Sequence, residues 1–263
     1  MEKFDFKKKF GQNFLKDQNL LADIVDKAGV TTEDVVVEIG TGKGALTEVL
    51  SKNAKKVYSF EIDSELFEFL GEKFNNTNVE MIFQDVMKVS DEELNEMVGG
   101  KFKLVANLPY YVTSPIITRF LQNENMESLT VMVQEEVADR IVAPPKTKDY
   151  GVLTVICQIF GDAKKVLRVN RKMFYPVPNV DSAVVRIDKK EVFVENFSKF
   201  ISFVKQAFSM RRKKLSTNLE TAKLKKREVE TILTQNGFSE MTRAEELSIE
   251  DFKKLYNLFK GKM

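Results

Sequence analysis

Residues 34–44 read DVVVEIGTGKG. Four of the first seven positions are β-branched, and glycines follow at 40, 42 and 44. The run predicts a buried strand over 34–40 that breaks into a tight turn, because glycine adopts backbone angles closed to other residues. A helical pattern follows over Lys43–Asn53. A strand, a glycine turn and a helix together let a ligand approach the backbone at a helix N-terminus.

Outward from this stretch the alternation repeats. KKVYSFEID (55–63), VEMIFQD (79–85), FKLVANL (102–108), SLTVMVQ (128–134), AKKVLRV (163–169) and VDSAVVRI (180–187) read as strands. Helices are predicted over Ser64–Phe74, Asp91–Val98, Thr113–Asn123, Glu135–Ala143 and Val152–Phe160. Seven strands alternating with helices imply a doubly wound, Rossmann-like α/β domain with a parallel sheet covered on both faces. It ends near Ile187, and residues 188–195 read as a linker. From Asn196 the pattern is helical only, which predicts a small all-helical C-terminal domain.

Composition narrows the chemistry. The 263 residues contain no histidine, which removes Ser/His and Cys/His nucleophilic catalysis and nearly all zinc chemistry. A metal site built only from carboxylates stays open to this composition, but no calcium-loop pattern appears, and no metal is expected. The single cysteine, Cys157, lies in VLTVICQIF and reads as a small core hydrophobe. One cysteine allows no internal disulfide, which fits a reducing cytoplasm. No apolar stretch approaches a membrane span, and the basic N-terminus lacks the apolar core of a secretory signal. Net charge is only +2, but residues 31–100 carry 15 acids against 6 bases, and residues 199–227 carry 10 bases against one acid. The basic segment suits either a polyanion partner or a solvated helix face.

The strand ends suggest a nucleoside site. Glu61 closes the second strand 21 residues after Gly40, where a carboxylate can accept hydrogen bonds from ribose hydroxyls. Asp85 closes the third, placed to meet an adenine edge. Open α/β sheets bind ligands at such carboxyl ends. A dinucleotide fold carries GxGxxG, whereas this chain has GxGxG. S-adenosylmethionine has no pyrophosphate to seat on the helix, so the spacing leans towards it and leaves NAD open.

NLPY at 107–110 decides between them. The exocyclic amine of adenine is a poor nucleophile because its lone pair is delocalised into the ring. Two acceptors beside its hydrogens draw it towards tetrahedral geometry. Asn107 offers a side-chain carbonyl and Leu108 a backbone carbonyl, while Pro109 fixes the turn that aims them. Tyr110 presents a ring on which a flipped base can stack, worth roughly 1–3 kcal/mol. The sulfonium is already a reactive methyl donor, so such chemistry needs alignment rather than a strong base.

At this point the chain resembles the KsgA/RsmA family of small-subunit rRNA adenine dimethyltransferases. GQNFL (11–15), EIGTGKGALT (38–47), EID (61–63), QD (84–85), NLPY (107–110), VQEEVADR (133–140), FYPVPNVDSAVV (174–185) and AFSMRRKKLSTNL (207–219) carry the resemblance across essentially the whole chain. It implies a S-adenosylmethionine-binding catalytic domain over 1–190 and a helical rRNA-binding domain over 191–263. It implies that Gln12, Asn13, Leu15, Gly40, Gly42, Glu61, Ile62, Asp85, Val86 and Asn107 hold the cofactor, leaving S-adenosylhomocysteine as product. Phe174 would cover the target adenine opposite Tyr110. Lys7, Lys8 and Lys9, with Arg211, Arg212, Lys213, Lys214, Lys225, Lys226 and Arg227, would meet rRNA phosphates.

The implied reaction is transfer of four methyl groups to two adjacent adenines in the 3′-terminal hairpin of small-subunit rRNA. The enzyme would be a cytoplasmic monomer acting on the immature small subunit, with a role in its biogenesis and no membrane partner. Thr41, Lys43 and Tyr111 depart from the common pattern, where Pro, an apolar residue and Asn are frequent. Three rivals remain: an Erm-type large-subunit rRNA methyltransferase, a catalytically silent assembly factor, and an NAD(P) oxidoreductase. FYPVPNVDSAVV with AFSMRRKKLSTNL opposes the first, intact Asn107, Tyr110, Glu61 and Asp85 the second, and GxGxG with NLPY the third.

Overall fold

Nine strands and eleven α-helices make up the computed structural model, which describes residues 14–15, 17–109, 112–191 and 194–262. In chain order they begin with β1 (Phe14–Leu15), α1 (Gln18–Lys27), β2 (Val35–Ile39), α2 (Ala45–Asn53), β3 (Lys56–Phe60), α3 (Phe67–Lys73) and β4 (Val79–Ile82). There follow α4 (Asp91–Val98), β5 (Phe102–Asn107), α5 (Thr113–Gln122), β6 (Met126–Gln134), α6 (Glu135–Val142) and α7 (Val152–Phe160). The rest are β7 (Gly161–Val169), β8 (Phe174–Tyr175), β9 (Ser182–Lys189), α8 (Phe197–Ala207), α9 (Leu215–Asn218), α10 (Lys226–Gln235) and α11 (Ile249–Phe259). Among the described residues no helix is long and apolar enough to cross a membrane.

The chain forms two compact units. One takes the described residues up to Ala138 with Gly161–Lys190, and the other takes Asp139–Phe160 with the residues from Glu191 on. Residues 139–160, which the expected domain over 1–190 includes, group with the second unit. The cause is the apolar run of α7, whose Val155, Ile156, Cys157 and Ile159 are buried. The Phe160 ring packs against that of Phe197 of α8, centroids 4.2 Å apart and planes tilted by 48°. Gln158 also donates to the carbonyls of Ile141 and Ala143, folding the segment onto itself.

In the first unit a seven-stranded sheet has the order β4-β3-β2-β5-β6-β9-β7. β2 to β6 pair in parallel, but β9 runs antiparallel to both β6 and β7. The sheet is thus mixed, where the alternation predicted a parallel one. β7 and β9 are joined by residues 170–181, which hold a 3₁₀ turn and β8 but no crossover helix, and a parallel pair needs such a crossover. Val36, Val57, Val105 and Val184 bury one sheet face in a cluster with Leu21, Ile24 and Val25 of α1 and Leu50 of α2.

Two features lay outside the sequence reading. α1 begins at an Asp17 side chain that accepts from Leu20 N–H at 3.0 Å. β1 and β8 pair antiparallel, Leu15 with Phe174, and so join GQNFL to FYPVP. Most expected helices and strands shorten or slip by one or two residues. The second helix starts as a 3₁₀ turn over Ser64–Leu66.

The second unit is held by rings. Phe200, Phe203, Phe252 and Phe259 are fully buried, and Tyr256 meets Phe200 edge-on at 5.4 Å. Tyr150 donates to the Leu247 carbonyl at 2.7 Å. Burial drives the Cys157 thiol well above its ordinary pKa, as a core position requires. Phe200→Ala is expected to cost about 3–5 kcal/mol, the range for emptying a buried aromatic site. Urea unfolding followed by the helical signal measures it; a loss under about 1 kcal/mol would mean the cluster refills the space.

Candidate active site

The chain leaves β2 for β3 and β4 on one side and returns to β5 on the other. That reversal opens a crevice at the carboxyl ends of β2 and β5. Val36 pairs with Lys103 and Val37 with Leu104, so the same register sets Gly40 level with Asn107. A cavity of about 590 Å³ lies there.

The glycine turn forms its rim. Gly40 sits at φ +80°, in the left-handed region, and a Cβ there would stand 3.7 Å from the Asn107 carbonyl oxygen. Gly44 sits at φ +76°, where a Cβ would come within 2.7 Å of the Phe74 ring. Gly40 N–H donates to the Phe60 carbonyl at 2.9 Å, tying the turn to the end of β3. Lys73 of α3 donates to the Lys43 carbonyl at 2.8 Å and pairs with Glu48 at 2.6 Å.

Glu61 is held by three backbone donors. Its Oε2 accepts from Gly42 N–H at 2.7 Å, and its Oε1 accepts from Ile62 and Asp63 N–H at 2.8 and 2.9 Å. Each carboxylate oxygen has two acceptor positions, so Oε2 keeps one for a ribose hydroxyl. Asp85 caps a 3₁₀ turn through Oδ1, which accepts from Met87 N–H at 3.0 Å, and its Oδ2 takes no partner among the described residues. Arg119 of α5 fixes that turn by donating to the carbonyls of Val86 and Val89. Ile62 and Met87 line the cavity with apolar surface and are 47% and 41% exposed. An acceptor for ribose, one for an adenine edge and open apolar walls fit S-adenosylmethionine.

Leu15, Gly40, Gly42, Glu61, Ile62, Asp85, Val86, Asn107, Leu108, Pro109 and Phe174 all line this cavity. Gln12, Asn13 and Tyr110 lie outside the described residues, as do Lys7, Lys8 and Lys9. The Asn107 side chain makes no hydrogen bond among the described residues, and neither does the Leu108 carbonyl. The Pro109 carbonyl instead accepts from Val112 N–H and the Thr113 hydroxyl, both at 3.2 Å, closing the turn. Phe174, 4% exposed, forms a fixed wall. In the second unit Arg212, Lys213, Lys225 and Arg227 are exposed, whereas Arg211 is committed to Glu245 at 3.0 Å.

Glu38, in EIGTGKGALT, has a place in the site that the sequence pattern does not reveal. Its fully buried carboxyl lines the cavity, and its Oε2 accepts from the Thr47 and Ser59 hydroxyls, each at 2.6 Å. Ser59 also meets the Thr41 hydroxyl at 2.6 Å. Since Ser59 spends its proton on Glu38, Thr41 donates to Ser59. Thr41, a departure from the common pattern, thus links the glycine turn to Glu38. Burial pushes Glu38 up to about 7, helped by the nearby Glu61 charge and opposed by the two hydroxyls.

The ribosomal RNA adenine dimethylase family matches residues 3–261. This chain belongs to that family. A ribosomal RNA small subunit methyltransferase A from Caldanaerobacter subterraneus subsp. tengcongensis is 45% identical over 257 residues, covering 95% of this chain and 96% of that one. A dimethyladenosine transferase from Plasmodium falciparum superposes with a TM-score of 0.81 at 28% identity, over 95% of this chain and 98% of that one. The 23S rRNA methyltransferase ErmE gives a TM-score of 0.70 at 29% identity, over 93% and 98%. S-adenosylmethionine is the cofactor of this dimethylase family.

A carboxyl whose pKa is raised on folding holds an extra proton in the folded state, here between about pH 4.5 and 7. It therefore lowers wild-type stability as pH rises through that window. Glu38→Gln should gain in Tm relative to wild type between about pH 5 and about pH 8. A Tm difference that stays constant across this range would mean that Glu38 is ionised throughout.

Proposed function

We propose that this protein dimethylates the exocyclic amines of two adjacent adenines in the 3′-terminal hairpin of small-subunit rRNA. It acts in the cytoplasm as a monomer on the immature small subunit. The observation that carries the reading is the pair of acceptors at the nucleoside cavity, Asn107 Oδ1 and the Leu108 carbonyl, which have no hydrogen-bond partner among the described residues. They accept the two hydrogens of the target amine and localise its lone pair. S-adenosylmethionine supplies, when bound, an electrophilic methyl group and a neutral leaving group. Phe174 backs one face of the flipped base and Tyr110 the other. Glu61 holds the ribose and Asp85 the adenine edge of the cofactor, with Ile62 and Val86 as apolar walls. Gln12, Asn13 and Leu15 close over it.

The buried Glu38 carboxyl supports this assignment. A cationic cofactor favours an ionised carboxyl in the cavity wall, so binding should tighten as pH rises through about 7. The first unit performs the chemistry. The second binds rRNA phosphates through Arg211 to Lys214 and Lys225 to Arg227, with Lys7, Lys8 and Lys9 as a further patch. The extended identity to a small-subunit enzyme favours that RNA over the large-subunit substrate of ErmE.

The test is methyl transfer from labelled cofactor to undermethylated small subunits and, separately, to unmethylated large-subunit rRNA, with nucleosides identified by mass spectrometry. Dimethyladenosine confined to the small-subunit hairpin is expected. Label confined to large-subunit RNA would overturn the substrate, and no label in either would overturn the enzyme.

A further inference from the structure

Among the described residues β7 is an edge strand, paired with β9 alone. From residue 163 to residue 180 the chain carries five basic residues and no acid. Lys164, Lys165, Arg168, Arg171 and Lys172 are all exposed. Two carboxylates engage part of this strip: Glu135 pairs with Arg168 at 3.0 Å, and Asp181 with Arg168 at 3.4 Å. Lys165 stands 3.9 Å from Glu135. The Arg171 guanidinium donates to the Asn179 carbonyl at 3.0 Å and its backbone N–H to Asp181 Oδ1 at 3.0 Å, and the guanidinium makes no ion pair among the described residues. Lys164 and Lys172 have no ion pair among the described residues.

The strip leads to the pocket. Asn107 pairs with Met132, Met132 with Val184, and Val184 with Leu167. This row sets Arg168 one residue past the level of Asn107, three strand spacings or about 14 Å away. A single 3₁₀ turn, Arg171–Met173, separates the strand from Phe174 in the cavity wall. Strand alternation then turns Tyr175 outward, 55% exposed, beside Val177 at 56% and Val180 at 44%. Cations followed by an exposed ring next in sequence to the cavity-lining Phe174 match a single-stranded nucleic acid with one base withdrawn.

We propose that β7 and the 171–173 turn bind the backbone phosphates of the RNA strand flanking the target adenine, with Tyr175 stacking a neighbouring base. This deepens the rRNA reading above and rests on it. The surface belongs to the first unit, whereas the C-terminal basic segment belongs to the second. Edge strands also carry lysines simply to block pairing with other chains, and the test separates the two roles.

The full-length chain is measured against a synthetic small-subunit 3′-terminal hairpin RNA over a range of salt. Replacing Lys164, Arg171 and Lys172 together by Gln should flatten the slope of log affinity against log salt by about 2. The RNA KM should rise about tenfold or more, with kcat at saturating RNA and cofactor Kd unchanged. Exchanging the three for the other basic residue type should keep the wild-type slope. Tyr175→Ala should weaken binding about tenfold with no change of slope, because stacking releases no counterions. A wild type that methylates while the Gln variant keeps both slope and KM overturns the strip alone, even if that variant aggregates. A wild type that neither binds nor methylates the RNA overturns the parent reading as well.

Discussion

The site depends on one pairing, that of β2 with β5. A single parallel register puts the end of the glycine strand beside the end of the NLPY strand. The glycine turn from one strand and Asn107 and Leu108 from the other then line one crevice. The pairing works only because Gly40 turns away at a positive φ, with the Asn107 carbonyl beside the position of its absent Cβ. A shift of one residue would reverse the side-chain faces of β5 and turn Asn107 out of the cavity.

Around that contact the molecule fixes backbone with buried polar groups. Three amides clamp Glu61, and Arg119 binds two carbonyls of the turn after Asp85. Thr41, Ser59, Glu38 and Thr47 form a continuous hydroxyl–carboxyl chain below the glycines. A buried carboxyl is costly, and two short hydroxyl bonds offset only part of that cost, which is why Glu38 stays high. The structural role is to couple the turn to two strands and a helix. A cation in the cavity would relieve the same cost.

Local chemistry made much of this legible. β-branched runs and glycines announced the strands and the turn, and the strand ends gave Glu61, Asp85 and Asn107, because side chains at those ends need no long-range information to be located. Glu38 was hidden, since its function depends on Ser59 and Thr47 arriving from 21 and 9 residues away. The β1–β8 pair was hidden for the same reason, Leu15 and Phe174 being 159 residues apart. The antiparallel β9 followed from the length and content of one connection, which periodicity does not weigh. α7 carried a helical pattern that was read correctly, but an apolar helix fits either neighbour, and only packing against Phe197 settled its unit. The basic strip on β7 was missed because its charges alternate with core residues and leave no dense run.

The central claim is that Asn107, besides lining the cofactor cavity, activates a neutral amine. Asn107→Ala, assayed for cofactor binding by calorimetry and for single-turnover methyl transfer on undermethylated small subunits, tests it most directly. The account predicts cofactor affinity within about tenfold of wild type, with transfer slowed by roughly 10²-fold or more, the scale for losing one oriented hydrogen-bonding group at a reacting centre. Near-normal transfer, or a loss explained entirely by weaker cofactor binding, would contradict it.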